Sequence, residues 1–347
     1  MTGSWASAEL LLADGRPGDR MRRGQFLSLV GGAVAMLPLR TLAQTPTKVY
    51  WVGLLSIGTA MGEKSPLGSA IIRDLGQAGY TLGQNLAFDA RGAEGHQERL
   101  PQLVAQFAAS KVDVLVVNGY PATLAAKQGT TLPIVSINAG DPVGTGLVSS
   151  LSHPGGNLTG ISDVSAELTP KRLDLLKQMA PNMRRVAILW NADNLGMTLR
   201  YRAAETGALA LGVDVQPLGV REPDDFTQAF EAMNREMPDA ILMVTDLLTI
   251  LNRKPVFEFA AAHRLPAIYE FAFLARDGGL MSYGPDEGES FGRVAALVRR
   301  ILAGAKPSEL PFEEPAKFDL AINLKTATTL GLTVPPLLLA NADEVIE

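Results

Sequence analysis

Cysteine is absent from the 347 residues. That excludes thiol nucleophiles, disulfide scaffolds, Cys-ligated zinc and iron–sulfur clusters. Histidine is nearly absent: His96, His153 and His263 are the three, and their spacing matches no metal motif. An excess of basic charge is also missing. Lys and Arg number 31 against 36 acidic residues, a net charge of −5, so there is no basic stripe of the kind that binds nucleic acid. Charged residues make up 19% and hydrophobic residues 47%, which is enough to bury a sizeable core and suggests about two lobes.

Catalytic signatures are missing as well. Gly58-Thr59-Ala60-Met61-Gly62-Glu63-Lys64-Ser65 looks like a phosphate-binding loop, but it has one residue too few between the glycines. Glu63 would also repel a phosphate there. Gly144-Thr145-Gly146 lacks a third glycine at dinucleotide-binding spacing. No Gly-x-Ser-x-Gly elbow and no His-Glu-x-x-His occurs. The expectation is no enzyme, no cofactor and no metal.

The N-terminus reads as an address. Arg22-Arg23 precede the apolar run 26–37, and Pro38 and Thr41-Leu42-Ala43 follow. A charged start, a short apolar stretch and small residues form the order of a signal peptide, with the cut after Ala43. The run is too short to span a membrane. Glu9, Asp14 and Asp19 do not suit a signal start, so Met21 is the better first residue. The Arg pair loosely resembles a twin-arginine signal with one residue too many, so the export route stays open.

After Lys48, short apolar runs alternate with helical stretches. Strands are expected at 49–55, 86–90, 112–117 and 133–138, and helices at 65–78, 100–109 and 121–128. A second set follows, with strands at 186–190, 213–218, 240–244 and 267–270 and helices ending at Leu211, Glu236 and His263. This βαβα order, written twice, predicts parallel sheets with helices on both faces. Lobe one is expected at 44–150 with 279–316, and lobe two at 151–278 with 317–347.

In such sheets, ligands sit beyond the carboxyl ends of the strands. In lobe one those positions are Ser56, Asn118, Gly119, Tyr120, Asn138 and Asp141. Pro121 starts a helix, so the turn before it presents free N–H groups to an anionic group, and Thr123 adds a hydroxyl. In lobe two the positions are Trp190, Asn191, Asp246, Tyr269 and Glu270. Asp246 or Glu270 can pair with a ligand ammonium, and Trp190 and Tyr269 can flank an apolar ligand.

Several blocks of sequence then fall into one ordered series: Gly140-Asp141-Pro142-Val143-Gly144-Thr145-Gly146-Leu147-Val148, His153-Pro154-Gly155-Gly156-Asn157-Leu158-Thr159-Gly160, Gly278-Gly279-Leu280-Met281-Ser282-Tyr283-Gly284 and Lys317-Phe318-Asp319-Leu320-Ala321-Ile322-Asn323. The series resembles a family of ABC-transporter substrate-binding proteins. That resemblance implies a type I periplasmic-binding-protein fold, two αβα lobes with parallel sheets and three inter-lobe crossings, closing around a small molecule. It implies a periplasmic receptor that delivers an amino acid or an aromatic or carboxylate solute to an inner-membrane ABC permease. A monomer is the default expectation, because closure of two lobes requires no oligomer. The carboxylate-holding role falls on Gly119, Thr123, Asn138 and Asp141, the amine-holding role on Asp246, and Asn191 lies at the lobe-two rim. Tyr120 stands where the family usually shows a small or hydroxyl residue, which leaves a smaller solute or an aromatic acid open. A ligand-binding module feeding a sensor or chemoreceptor, or a periplasmic enzyme, are the alternatives.

Overall fold

A computed structural model describes residues 48–347. The leader expected at 1–43, its start at Met21 and its cut after Ala43 lie outside the described residues. The first part of the chain forms β1 (Tyr50–Ser56), α1 (Pro66–Gln77), β2 (Leu86–Gly92), α2 (Leu100–Ser110), β3 (Val114–Asn118), α3 (Tyr120–Gly129), β4 (Ile134–Ile137) and β5 (Leu158–Gly160). Next come α4 (Ser165–Met179), β6 (Arg185–Asn191), α5 (Leu195–Ala210), β7 (Asp214–Val220), α6 (Asp225–Arg235), β8 (Ala240–Met243), α7 (Leu247–Leu251), α8 (Arg253–His263), β9 (Ala267–Tyr269) and α9 (Ala272–Arg276). The chain ends with β10 (Met281–Pro285), α10 (Glu287–Leu302), β11 (Phe318–Asn323), α11 (Leu324–Leu330), α12 (Pro336–Ala340) and β12 (Glu344–Ile346).

The strands build two sheets, in the orders β2-β1-β3-β4-β5 and β12-β11-β10-β9-β8-β6-β7. Every pairing is parallel except β10 with β11. Parallel strands covered on both faces read as unbroken apolar runs, as Val114–Val117 and Ala240–Met243 do. Successive side chains then serve opposite faces. Val114 and Val116 pack with Ile71 and Val298 in one layer of lobe one, while Leu115 and Val117 pack with Val104 and Phe107 in the other. Lobe two repeats the plan. Ile188 and Leu242 meet Leu176 and Ala204 on one face, and Leu189 and Met243 meet Phe226 and Val256 on the other.

The stretch Gly58–Ser65, which looked like a phosphate loop, is the entry to α1. The Ser65 hydroxyl accepts from the Gly68 N–H at 3.0 Å and donates to the Gly62 carbonyl at 2.7 Å, and Pro66 opens the helix.

The expected lobe boundaries shift in two places. The Gly-rich stretch after 144 is not the crossing itself. It ends in β5, which pairs with β4 as the edge of the first sheet, and the chain passes to lobe two after Ile161. Three residues, one of them glycine, gave too little periodicity to mark a strand. β10, expected in lobe one, pairs with β9 and β11 in the second sheet, because Met281 and Leu280 are buried in the lobe-two core. The return to lobe one comes between Pro285 and α10, whose Val294, Leu297 and Val298 pack against α1. The chain leaves again before β11. Lobe one thus comprises 48–161 and 287–313, and lobe two 163–285 and 318–347.

Two glycines separate packing from propensity. A Cβ on Gly160 would strike the Ser136 backbone, whereas a Cβ on Gly292, on an exposed face of α10, meets nothing within 4 Å. Gly160→Ala is expected to destabilise by about 1–3 kcal/mol. Gly292→Ala is expected to stabilise by about 0.5–1 kcal/mol. Urea unfolding midpoints of the two variants check both signs.

Candidate functional site: the cleft between the lobes

The carboxyl ends of β1, β3 and β4 face those of β6 and β8 where the two lobes touch. A Cβ on Gly140 would lie 3.4 Å from the Gly196 Cα, and one on Gly196 would lie 3.5 Å from the Ala139 carbonyl and 3.7 Å from the Tyr120 Cβ. Across the other rim, a Cβ on Gly58 would lie 3.1 Å from the Leu247 side chain. These are contact distances, so the rims of the cleft touch.

On the lobe-one side, Asn118 and Asn138 form a pair. The Asn138 amide donates to the Asn118 Oδ1 at 2.9 Å, and the Asn118 amide approaches the Met61 sulfur at 3.4 Å. Asn138 holds a left-handed backbone (φ 56°), which Asn tolerates better than most residues. Gly119 (φ 93°, ψ 154°) occupies a region open to glycine and caps α3. Its own N–H is used by the Ile137 carbonyl, so the free donors of the first turn are the N–H groups of Tyr120 and Ala122.

Three expected contacts serve the loops instead. The Ser56 hydroxyl donates to the Thr59 carbonyl at 2.6 Å. Thr123 is fully buried, and its hydroxyl meets the Gly119 carbonyl at 2.9 Å and Ser136 Oγ at 3.0 Å. Asp141 is exposed and accepts from the Val143 N–H at 2.9 Å, shaping its own turn. Tyr120 is buried, and burial pushes its phenol above the usual range. Its ring lines a groove of about 570 Å³ between α2, α3 and the lobe-two residues Asp193 and Leu195.

On the lobe-two side, Asp246 is the centre. Its Oδ1 accepts from the Thr249 N–H at 3.2 Å, and the Thr249 hydroxyl accepts from the Asp246 N–H at 2.9 Å, a reciprocal cap on α7. Its Oδ2 accepts from the amides of Asn191 at 2.6 Å and Asn194 at 3.4 Å. Burial raises the Asp246 carboxyl above the usual range, against the pull of the Thr249 N–H, the two amides and Arg200. Three donors leave one of about four lone-pair directions unused.

Tyr269 and Trp190 are not in the cleft. Tyr269 is 1% exposed and packs edge-on against Phe257 within lobe two, and Trp190 stacks on Tyr201 at 3.8 Å. Trp190, next to last in β6, and Tyr269, last in β9, both stand at phases that face the helical layers.

Glu270 is consumed by protein. It accepts from Arg172 at 3.2 Å, from Arg200 at 2.6 Å and from the Thr245 N–H at 3.1 Å. Arg200 also pairs with Asp163 on the first crossing, and Arg172 donates to the Tyr283 carbonyl on β10 at 2.7 Å. All four charged groups are at most 4% exposed. Burial opposes the Arg200 charge, but Asp163 and Glu270 outweigh it and hold the guanidinium above its ordinary value. Sequence reading missed Asp163, Arg172, Arg200 and Asn194. The arginines left a usable signal: Arg172 falls on the buried stripe of α4 with Thr169, Leu173 and Leu176.

Beside this network lies a cavity of about 10 Å³ between the lobes, lined by Asn138, Asp163, Phe271 and Glu287 among others. Its size suits a single water. Burial raises the Glu287 carboxyl, against Arg276 and helped by Asp286. Among the described residues no cluster of three or more metal-ligating side chains occurs, and no helix is long and apolar enough to cross a membrane.

Two parallel-stranded lobes, three chain passages between them and a polar cleft at the strand ends define a periplasmic-binding-protein-like molecule. Residues 67–346 match the model of the ABC transporter substrate binding protein family, and the chain belongs to that family. A tyrosine-binding protein of Clostridioides difficile (strain R20291) is 24% identical over 262 residues, covering 75% of each chain. A conserved domain protein of Vibrio cholerae is 27% identical, with a TM-score of 0.80 over 86% of this chain and 100% of that one. The structure of an ABC domain in complex with L-Trp from Streptococcus pneumonia is 24% identical, with the same TM-score and coverage.

Removing the acid that two buried guanidinium groups share leaves uncompensated charge. Glu270→Gln is expected to destabilise by about 3–5 kcal/mol. Equilibrium denaturation checks this, and a loss below about 1 kcal/mol would show that the network is not held as described.

Proposed function

We propose that the protein is the solute-binding receptor of an ABC importer, exported to the periplasm after removal of the leader near Ala43, where it acts as a monomer. It closes on an amino acid or an aromatic or carboxylate solute and presents the closed form to the permease. No bond chemistry is involved. Contacts made with both lobes favour closure by the difference in ligand free energy between the open and closed states.

The observation that carries this reading is Asp246. It is a carboxylate held at the cleft by Asn191 and Asn194, with a lone pair left over for a ligand ammonium. Opposite it, the first-turn N–H groups of α3 and the Asn118–Asn138 pair suit a ligand carboxylate. Gly119 and Thr123 hold that turn in shape, while Ser56 and Asp141 shape the two neighbouring loops. The tyrosine-binding relative and the relative solved with L-Trp support an amino-acid ligand.

A thermal-shift screen against amino acids, aromatic acids, nucleosides and sugars tests the proposal. A ligand that binds only the native state adds RT ln(1 + [L]/Kd) to stability. One chemical class is expected to raise Tm saturably, and Asp246→Ala is expected to abolish the shift. No shift with any class would contradict the receptor reading. A shift that survives Asp246→Ala would retain the receptor and contradict the assigned amine contact.

The pH dependence has a defined sign. An ammonium is held by the ionised carboxylate, so affinity is full above the Asp246 pKa and falls as pH drops through it. Because burial sets that pKa above the ordinary carboxylate range, the loss begins at a higher pH than a surface aspartate would give. Calorimetric titrations from pH 7.5 to 4.5 check it, and Asp246→Asn is expected to remove the step.

A further inference from the structure

Tyr269 was expected at the cleft, but its ring forms the floor of a different cavity. This space, about 240 Å³, lies entirely within lobe two. Its walls are Phe257, Ala260 and Ala261 of α8, Leu265, Leu280 and Leu330 of α11. No lobe-one residue and none of the cleft residues Asn191, Asn194 or Asp246 contributes to it.

The chemistry of the walls is specific. Phe257 and Tyr269 meet edge-on, with centroids 5.1 Å apart and planes at 81°, so an aromatic corner faces the space. The Tyr269 side chain is 1% exposed, and only burial acts on its phenol; no hydrogen bond or charge does. The hydroxyl makes no hydrogen bond to the described residues and is not among their fully buried unpaired polar atoms, so it keeps contact with open space and can still donate. Gly279 keeps the ring edge clear, since a Cβ there would lie 2.6 Å from it. Thr326 and Thr329 also line the space, but their hydroxyl protons are given to the carbonyls of Gly278 and Lys325, which leaves only acceptor lone pairs. The one charged lining residue is Glu258, which is exposed. No cation lines the cavity, so an anionic occupant has no counter-charge.

Size narrows the occupant further. An apolar cavity of roughly 150 Å³ holds benzene, and drug-sized ligands need roughly 300 Å³ or more. A space of 240 Å³ suits one ring with a short substituent. We propose that this cavity is a second small-molecule site, separate from the cleft, that takes a neutral single-ring aromatic compound whose hydrogen-bond acceptor meets the Tyr269 hydroxyl. The free hydroxyl supplies the donor, the Phe257–Tyr269 corner supplies the ring contact, and the absence of a lining cation excludes carboxylates.

The test is a fluorine NMR titration of the purified protein with 4-fluoroacetophenone, and with 1-ethyl-4-fluorobenzene as the analogue lacking the acceptor. The ketone is expected to bind saturably at one site. Tyr269→Phe, which keeps the ring, is expected to weaken the ketone about two- to tenfold and to leave the ethyl analogue unchanged. Ala261→Phe, which fills the space, is expected to abolish binding of both probes, and Asp246→Ala is expected to leave both unchanged. Lack of saturable ketone binding would overturn the proposal. So would equal ketone affinity in Tyr269→Phe, or loss of binding in Asp246→Ala, which would place the probe in the cleft. Should Ala261→Phe fail to fold, the Tyr269→Phe comparison alone decides.

Discussion

Glu270 directly follows β9 and carries two guanidinium groups, and the arrangement of lobe two at the cleft depends on that contact. Arg172 brings α4 to the carboxylate, Arg200 brings α5, and Asp163 ties the first chain crossing to Arg200. Arg172 also reaches the Tyr283 carbonyl on β10, just before the chain returns to lobe one. Two of the passages between the lobes are therefore anchored to one buried charge network. Such groups are stable in a low-dielectric interior only when each is paired, and removing one partner strands the other. The network therefore fixes geometry more than it adds stability. It fixes where Thr245 and Asp246 emerge, because the Thr245 N–H is itself bonded to Glu270 at 3.1 Å.

From that fixed base the cleft is built of amides and turns. Asp246 is held by Asn191 and Asn194 on one side, and Asn118 and Asn138 are held by each other on the other. These are strong donors and acceptors that orient one another, and in the proposed receptor that lowers the ordering cost of binding. Rim contact passes through glycines, Gly140 against Gly196 and Gly58 against the Leu247 side chain. A Cβ at Gly196 would meet its neighbours at ordinary contact distance, whereas Gly140 holds a positive φ of 78° that disfavours a side chain.

The repeated βαβα pattern was legible in the sequence because buried parallel strands are written as unbroken apolar runs, and Val112–Val117 and Ala240–Val244 could hardly be anything else. The strand ends were legible for the same reason, and Asn118, Asn138, Asn191 and Asp246 followed from them. The side-chain phase at a strand end was harder to read. Tyr269 and Trp190 differ from cleft residues only in which face their position serves, and one residue of register reverses that. β5, with three residues, was too short to carry a period, so the first lobe boundary was placed too early. The charge network was invisible because its members lie far apart in sequence, from Asp163 to Glu270, and meet only through the fold.

The proposed working motion is closure around a solute, and the lack of cysteine makes it directly measurable. Spin labels on cysteines introduced at Thr59 in lobe one and Leu251 in lobe two, both exposed near the facing rims, report the lobe separation by pulsed dipolar spectroscopy. With a saturating solute, the account predicts one narrow short-distance population, with the rims in contact as Gly58 and Leu247 are here. Without solute, a longer-distance population is predicted to appear. A distance distribution that stays the same when a calorimetrically proven ligand binds would contradict closure as the working motion of this protein.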